Sequence, residues 1–383
     1  MADKDHLIKV TNRDKIAPTG PHEQKSFAAR CHCSRIRFSV TLATAALPLR
    51  AFICHCGACR TSHGTFGSFH IILPPGVAPE WDEGSSREQL AWYKGEYGGD
   101  LSFCPTCGTH AGGYSPELDQ WAVTWGIFDE KFWQLAFHTC TQSAAGGGMA
   151  PWLPEVAGAA VPHVSLGSQD FPNACEPCVG PDGRERLRAE CACGGVAFSI
   201  TRPSQEVIDD EYMGDYVMSS SSAENPTTRS NDENYKWKAF LDMCRDCGRL
   251  SGATVVPWIL VPRIAITDPP MPPDFQGVGT LKTYQSTRGR VTRGFCGRCG
   301  ATVLLGTTRR TPSERQAVLN VAMGVLRAPE GVRAEDWTVW RTGNVAWADD
   351  ARGYDAEFTD ALVSGIRNWG VETHGQAVDF PVI

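Results

Sequence analysis

CHCSRIRFSV, residues 31–40, is answered further along the chain by CACGGVAFSI, residues 191–200. Each stretch sets a Cys-x-Cys pair ahead of a short run in which apolar and polar residues alternate, the pattern of a half-buried strand leaving a turn. The match continues outward. SFCPTCGTHA (102–111) is matched by GFCGRCGATV (294–303), and between these blocks Cys54-His-Cys56-Gly-Ala-Cys59 is matched by Asp242-Met-Cys244-Arg-Asp-Cys247. Three blocks in one order, twice over, predict an internal duplication and two domains of a single fold, each with its own core. The expected division is an N-terminal extension at 1–28, a first domain at 29–140, a linker at 141–187 rich in Gly, Pro and small residues, and a second domain at 188–383. The second domain carries about 28 extra residues between its first two cysteine blocks, an acidic, Ser-rich insertion at about 203–236, and ends in a C-terminal extension. The insertion reads as a surface loop or as a lid.

The fold class expected is mainly β with few short helices. RIRFSVTL (35–42), GSFHIILP (67–74), QWAVTWGIF (120–128), GVAFSITR (195–202), TVVPWILV (254–261) and QAVLNVAMGVL (316–326) are short, rich in β-branched and aromatic residues, and bounded by Gly or Pro. DAEFTDALVSGIRNW (355–369) alone repeats apolar residues at helical spacing, through Phe358, Leu362 and Ile366.

A chain of 383 residues with 16 cysteines and no apolar leader is expected in a reducing, cytoplasmic compartment, where clustered thiols bind metal or do redox work. No apolar run approaches a membrane span, and a net charge of −7 speaks against a nucleic-acid surface, so the expected partner is a small molecule. Oligomeric state is not legible.

A Cys-x-Cys and a distant Cys-x-x-Cys supply the four thiolates of a tetrahedral structural zinc. Cys31, Cys33, Cys104 and Cys107 make one such set, and Cys191, Cys193, Cys296 and Cys299 make the other. A redox dithiol is the alternative. Cys54, Cys56 and Cys59 then stand as three thiolates without a fourth cysteine, the donor number of a zinc with a position open to substrate, unless His55 or His63 closes it. His55, Arg60 and His63 would offset the sulfur charge, orient a substrate group or, in the case of the histidines, carry a proton near neutral pH. In the second copy Asp242 takes the place of Cys54 beside Cys244 and Cys247, which makes either a harder zinc site or a degenerate one. Cys140, Cys175 and Cys178 lie outside both series; with His138 or His163 they could form a further site, or a linker dithiol. The 12 tryptophans serve either an aromatic pocket or core packing.

The order C-x-C, C-H-C-x-x-C-R, F-C-x-x-C-G resembles the glutathione-dependent formaldehyde-activating enzyme family, also called the CENP-V/GFA domain, whose fold is a β-tent. The resemblance runs over about 29–140 and 188–345. It implies a structural zinc on each outer set and a catalytic zinc on Cys54, Cys56 and Cys59, with Asp242, Cys244 and Cys247 as a departing second set. It further implies carbon–sulfur lyase-type chemistry on a thiol and an aldehyde, with glutathione as co-substrate. Departures from the family pattern are the tandem arrangement, the long acidic insertion, Asp242 itself, Gly248 where the first copy has Arg60, and Leu101 where the second has Arg293. The rival readings are a zinc-dependent lyase or isomerase acting on a specialised metabolite without glutathione, and a non-catalytic zinc protein that binds partners.

Overall fold

The computed structural model describes residues 12, 14–15, 23–95, 100–116, 119–165, 176–219 and 235–382. They are mainly β. Four α-helices occur among them: α1 (Gly57–His63), α2 (Gln205–Asp209), α3 (Arg245–Ser251) and α4 (Ala348–His374).

In the first half, β1 (Gln24–Arg30) and β2 (Arg37–Ala43) form a small antiparallel sheet with Glu80–Trp81. β2 is the alternating run read from the sequence: Phe38, Val40 and Leu42 point inward and their neighbours outward. The large sheet is built from β3 (Leu49–Cys54), β4 (Ser68–Ile72), β5 (Ala91–Tyr93), β6 (Asp100–Phe103), β7 (His110–Ser115), β8 (Gln120–Thr124) and β9 (Trp133–Thr139). They stand in the order β9-β3-β4-β8-β7-β6-β5, with β9 parallel to β3 and every other pair antiparallel; His163–Val164 adds an edge beyond β9.

The second half repeats that order. β10 (Glu185–Glu190) and β11 (Ala197–Thr201) form the small sheet, joined by Ile266–Thr267 and Cys178–Val179. β12 (Tyr235–Asp242), β13 (Val256–Pro262), β14 (Leu281–Thr287), β15 (Val291–Cys296), β16 (Thr302–Thr307), β17 (Val318–Ala322) and β18 (Thr338–Trp340) form the large one. Its order is β18-β12-β13-β17-β16-β15-β14, again with only the β18–β12 pair parallel. β13 is buried at every position and sits mid-sheet, which is why its sequence is a continuous apolar run rather than an alternating one.

The core differs from the expectation of one per half. A continuous apolar cluster runs from Phe27 and Val40 through Trp125 and Trp152 to Leu187, Ile259 and Leu362, and a smaller one gathers Phe240, Trp258, Leu305 and Phe380. The expected linker contributes to it: Met149, Trp152 and Leu153 are fully buried. The C-terminal helix α4 of the second half lies on the first, with the Phe358 ring edge-on to Trp125 and Phe69, and its Gly365 against the Trp152 backbone. Helix α4 extends well beyond the apolar repeat that announces it, through a non-helical Asp355. Residues 203–219 of the acidic insertion form α2, a turn and the short strand Val217–Ser219, while 220–234 lie outside the described residues.

Backbone meets backbone where the halves join. A Cβ on Gly324 would stand 2.3 Å from the Thr65 nitrogen, just past α1, and one on Gly126 would stand 2.6 Å from the Gly248 oxygen, within α3. Each half thus presses the turn after β8 or after β17 against the central helix of the other. Gly126→Ala forces a methyl group into backbone that cannot turn aside, and we expect it to destabilise the fold by about 1–3 kcal/mol. Gly353→Ala, on α4 with nothing within 4 Å, is the control and should leave stability level or raise it slightly. Urea unfolding of the two variants distinguishes them; equal midpoints would contradict the joined core.

Candidate metal centres

Four groups of three or four side chains can each hold one ion, every group having its donor atoms within 4.8 Å of one another: Cys31, Cys33, Cys104 and Cys107; Cys191, Cys193, Cys296 and Cys299; Cys54, Cys56 and Cys59; Asp242, Cys244 and Cys247. All four are sets read from the sequence.

The outer sets pin one sheet to another. Cys31 and Cys33 sit in the turn from β1 to β2, Cys104 and Cys107 in the turn from β6 to β7, so one ion would join small sheet to large. Gly108 makes that turn at φ +80, and its amide donates to the Cys104 carbonyl at 2.9 Å. Gly300 repeats the turn in the second half, also at φ +80. Sulfurs bound at about 2.3 Å on a tetrahedral ion stand about 3.8 Å apart. Cys33 and Cys104 are 3.7 Å apart, Cys31 and Cys33 3.5 Å, Cys191 and Cys193 3.6 Å, and Cys193 and Cys296 3.5 Å, so both sets fit.

Each central set is made by a strand running into a short helix. Cys54 ends β3, Cys56 caps α1 and Cys59 lies in its first turn, where the Cys56 sulfur accepts from the Cys59 amide at 3.4 Å. Cys54 and Cys59 are partly exposed and Cys56 is buried. Hydrogen bonds from Cys54, then Cys59, pull the Cys56 thiol down to about 3, while hydrogen bonds with Cys140 first and then with Cys56 and Cys59 raise Cys54. One sulfur in the set therefore holds the negative charge, and an ion would displace the remaining protons.

The three flanking residues predicted for this set are buried, and neither histidine falls within the donor group. His55 Nε2 is 3.0 Å from His138 Nδ1, and His138 Nε2 is 3.0 Å from the Leu153 carbonyl. Arg60 donates through Nε to the His55 carbonyl at 3.2 Å; burial and then the charge of Arg327 bring it down to about 10, the thiols working the other way. His63 Nδ1 donates to the Ser251 carbonyl of the second half at 3.0 Å, leaving Nε2 without a partner, and the ring stacks on His110 at 4.0 Å. Burial draws His63 down to about 4 and pulls His55 well below its ordinary value. Both rings are neutral at physiological pH, so they offer lone pairs and orientation rather than imidazolium acids.

In the second central set Asp242 ends β12, its Oδ1 accepting from the Cys244 amide at 2.8 Å and its Oδ2 from the Cys247 thiol at 3.3 Å. The Cys244 and Cys247 sulfurs touch at 2.6 Å and would have to part by about an ångström to share an ion. Arg293, fully within the protein, donates through Nη1 to the Cys247 sulfur at 3.3 Å and through Nε to Ser286 at 2.8 Å. Burial works against its charge, but the sulfurs of Cys247 and Cys244 outweigh it and raise its pKa. This set floors a cavity of about 660 Å³ whose walls include Arg290, Arg309, Arg310, Asn320 and Trp347, none of them singled out in the sequence.

Among the remaining cysteines, Cys140 is buried and hydrogen-bonded to Cys54, which the parallel pairing of Thr139 with Cys54 brings about; it lies outside the three-donor group. Cys178 is exposed and Cys175 lies outside the described residues. Trp125, Trp133 and Trp258 are core residues, whereas Trp92 and Trp121 pack around the Arg87 guanidinium.

The family model for the glutathione-dependent formaldehyde-activating enzyme matches residues 26–143, under a third of the chain, and that segment is recognised as a domain of this family. It carries Cys31, Cys33, Cys54, Cys56, Cys59, Cys104 and Cys107. No curated protein matches the sequence. Among the described residues no helix is long and apolar enough to cross a membrane.

The buried histidines give the protein a pH signature. Burial takes His70 down to about 3 and His138 to about 4, so the folded chain refuses protons that the unfolded chain accepts below about pH 6.5. Their contribution is complete above that pH and is lost as pH falls toward the folded values. Urea midpoints should drop steadily between about pH 7 and about pH 4.5, and His70→Phe should flatten the slope. A slope unchanged in that variant would deny His70 the role.

Proposed function

We propose, from a first half recognised as a domain of this family, that the protein is a zinc-dependent enzyme joining a thiol to a carbonyl carbon, or releasing it. Glutathione and formaldehyde, the pair in the family's description, are the first substrates to try. The addition is balanced as RSH + R′CHO → RS–CH(OH)R′: a sulfur–carbon bond forms, the carbonyl π bond breaks, and the thiol proton ends on oxygen. The observation that carries this reading is the set Cys54, Cys56 and Cys59, three sulfurs within reach of one ion at a strand-to-helix junction, with neither His55 nor His63 among them. Zinc on three protein donors keeps a position for an incoming thiolate or carbonyl oxygen.

The chain's own residues set up the rest. Arg60 is anchored on the His55 carbonyl and places a buried positive charge beside the sulfurs. His63, locked by Ser251 into the Nδ1–H tautomer, presents Nε2 as a proton acceptor. The outer sets serve the fold rather than the reaction. Free thiols in this number, with all 15 described cysteines unpaired, suit a reducing compartment such as the cytoplasm.

Turnover of glutathione with formaldehyde by wild type and Cys56→Ser, read beside zinc per chain on protein purified without a metal-binding tag, tests the assignment. Cys56→Ser should lose one ion and at least about tenfold in rate with little change in unfolding midpoint. Cys31→Ser should lose one ion and a large part of its stability, on the order of 2 kcal/mol or more. Equal rates for wild type and Cys56→Ser would remove the central set from the chemistry and favour a binding protein.

A further inference from the structure

The two cysteines of the second central set stand closer than two sulfurs on one ion. Cys244 caps α3 and Cys247 lies in its first turn, and their sulfurs touch at 2.6 Å. Side chains three residues apart on a helix are neighbours, which puts these two within reach of a disulfide.

Two groups fix the inner sulfur. The Cys247 thiol donates to Asp242 Oδ2 at 3.3 Å, and Arg293 Nη1 donates to the same sulfur at 3.3 Å. Arg293 is buried and anchored through Nε on Ser286 at 2.8 Å, so its charge stays against Cys247. A fixed guanidinium offsets the negative charge on a sulfur that attacks or leaves in disulfide exchange. The outer sulfur differs in access. Cys247 is buried, whereas Cys244 is half-buried, and both line the cavity of about 660 Å³. Arg290, Arg309 and Trp347 on the same cavity are exposed, so a small molecule can reach Cys244 from solvent.

The first half lacks this pairing. Cys56 and Cys59 match Cys244 and Cys247, but a third sulfur, Cys54, stands in the place of Asp242, and Leu101 in the place of Arg293. Three sulfurs suit an ion. Two in contact, with an arginine against one of them, suit each other.

We propose that Cys244 and Cys247 are a redox-active dithiol that exchanges with small disulfides entering the cavity. Cys244 attacks one sulfur of a disulfide RSSR: the S–S bond breaks, a Cys244–S–S–R bond forms, and the RS⁻ that leaves takes the Cys244 proton. Cys247 then attacks the Cys244 sulfur, and the second RS⁻ leaves with the Cys247 proton. The sum is protein(SH)₂ + RSSR → protein(S–S) + 2 RSH, the protein giving up the two electrons that the disulfide gains. Bridge and ion use the same sulfurs, so the pair is oxidised only where no ion occupies the set. The proposal is independent of the reaction assigned to the first centre.

Peptide mapping tests it. The full-length protein, purified under reducing conditions with its zinc, is treated with hydroxyethyl disulfide, quenched with iodoacetamide at intervals and digested for mass spectrometry. A Cys244–Cys247 bridge should form at least about tenfold faster than one between Cys56 and Cys59, and dithiothreitol should reverse it. Cys247→Ser, which lacks the second step, should stop at a mixed disulfide of Cys244 with mercaptoethanol. Bridging at equal rates in the two halves, or a Cys247→Ser protein without the Cys244 adduct, would overturn the proposal.

Discussion

The molecule depends on the contact of backbone with backbone at the seam between its halves. The Gly126 turn meets α3 and the Gly324 turn meets α1, at separations that leave no room for a side chain. This contact places the helix of each central set against the opposite half, although the donors of each set come from one half alone. The seam is reinforced by side chains that reach across it: His63 to Ser251, His110 to Gly300, and Arg249 to Asp129. A joined core follows, because two turns that close cannot keep separate apolar clusters behind them.

How much of this was legible follows from which interactions are local. Thiolate sets announce themselves because sulfur donors come in pairs on tight turns, and the same turn requires a glycine such as Gly108 or Gly300 just after it. Strands such as Arg37–Ala43 were legible by alternation, since their own pleat decides which residues face inward. The apolar pattern says that a face is buried and says nothing about what covers it, so the fusion of two expected cores could not be read. Nor could Arg310, Asn320 and Trp347 be recognised, because they come from a turn, a central strand and a helix cap whose side chains share a cavity only once the sheet has formed. Cys140 was visible as a residue but not as a neighbour of Cys54, for the same reason.

The two halves put opposite demands on similar scaffolds. In the first, three sulfurs gather beside one buried arginine, Arg60, whose hydrogen bonds go to main-chain carbonyls, so the charge balance is settled inside the protein. In the second, an aspartate replaces a sulfur, Gly248 replaces that arginine, and positive charge moves from behind the helix to the cavity wall. The consequence is electrostatic. An oxygen donor makes a bound ion a harder centre than three thiolates do, and the wall's surplus of guanidinium groups draws anions toward it. A repeated fold with its charges rearranged in this way retains the strand-to-helix junction that assembles donors, while changing what is attracted to them. The first centre is specialised by what surrounds the sulfurs from within, and the second by what lines the approach.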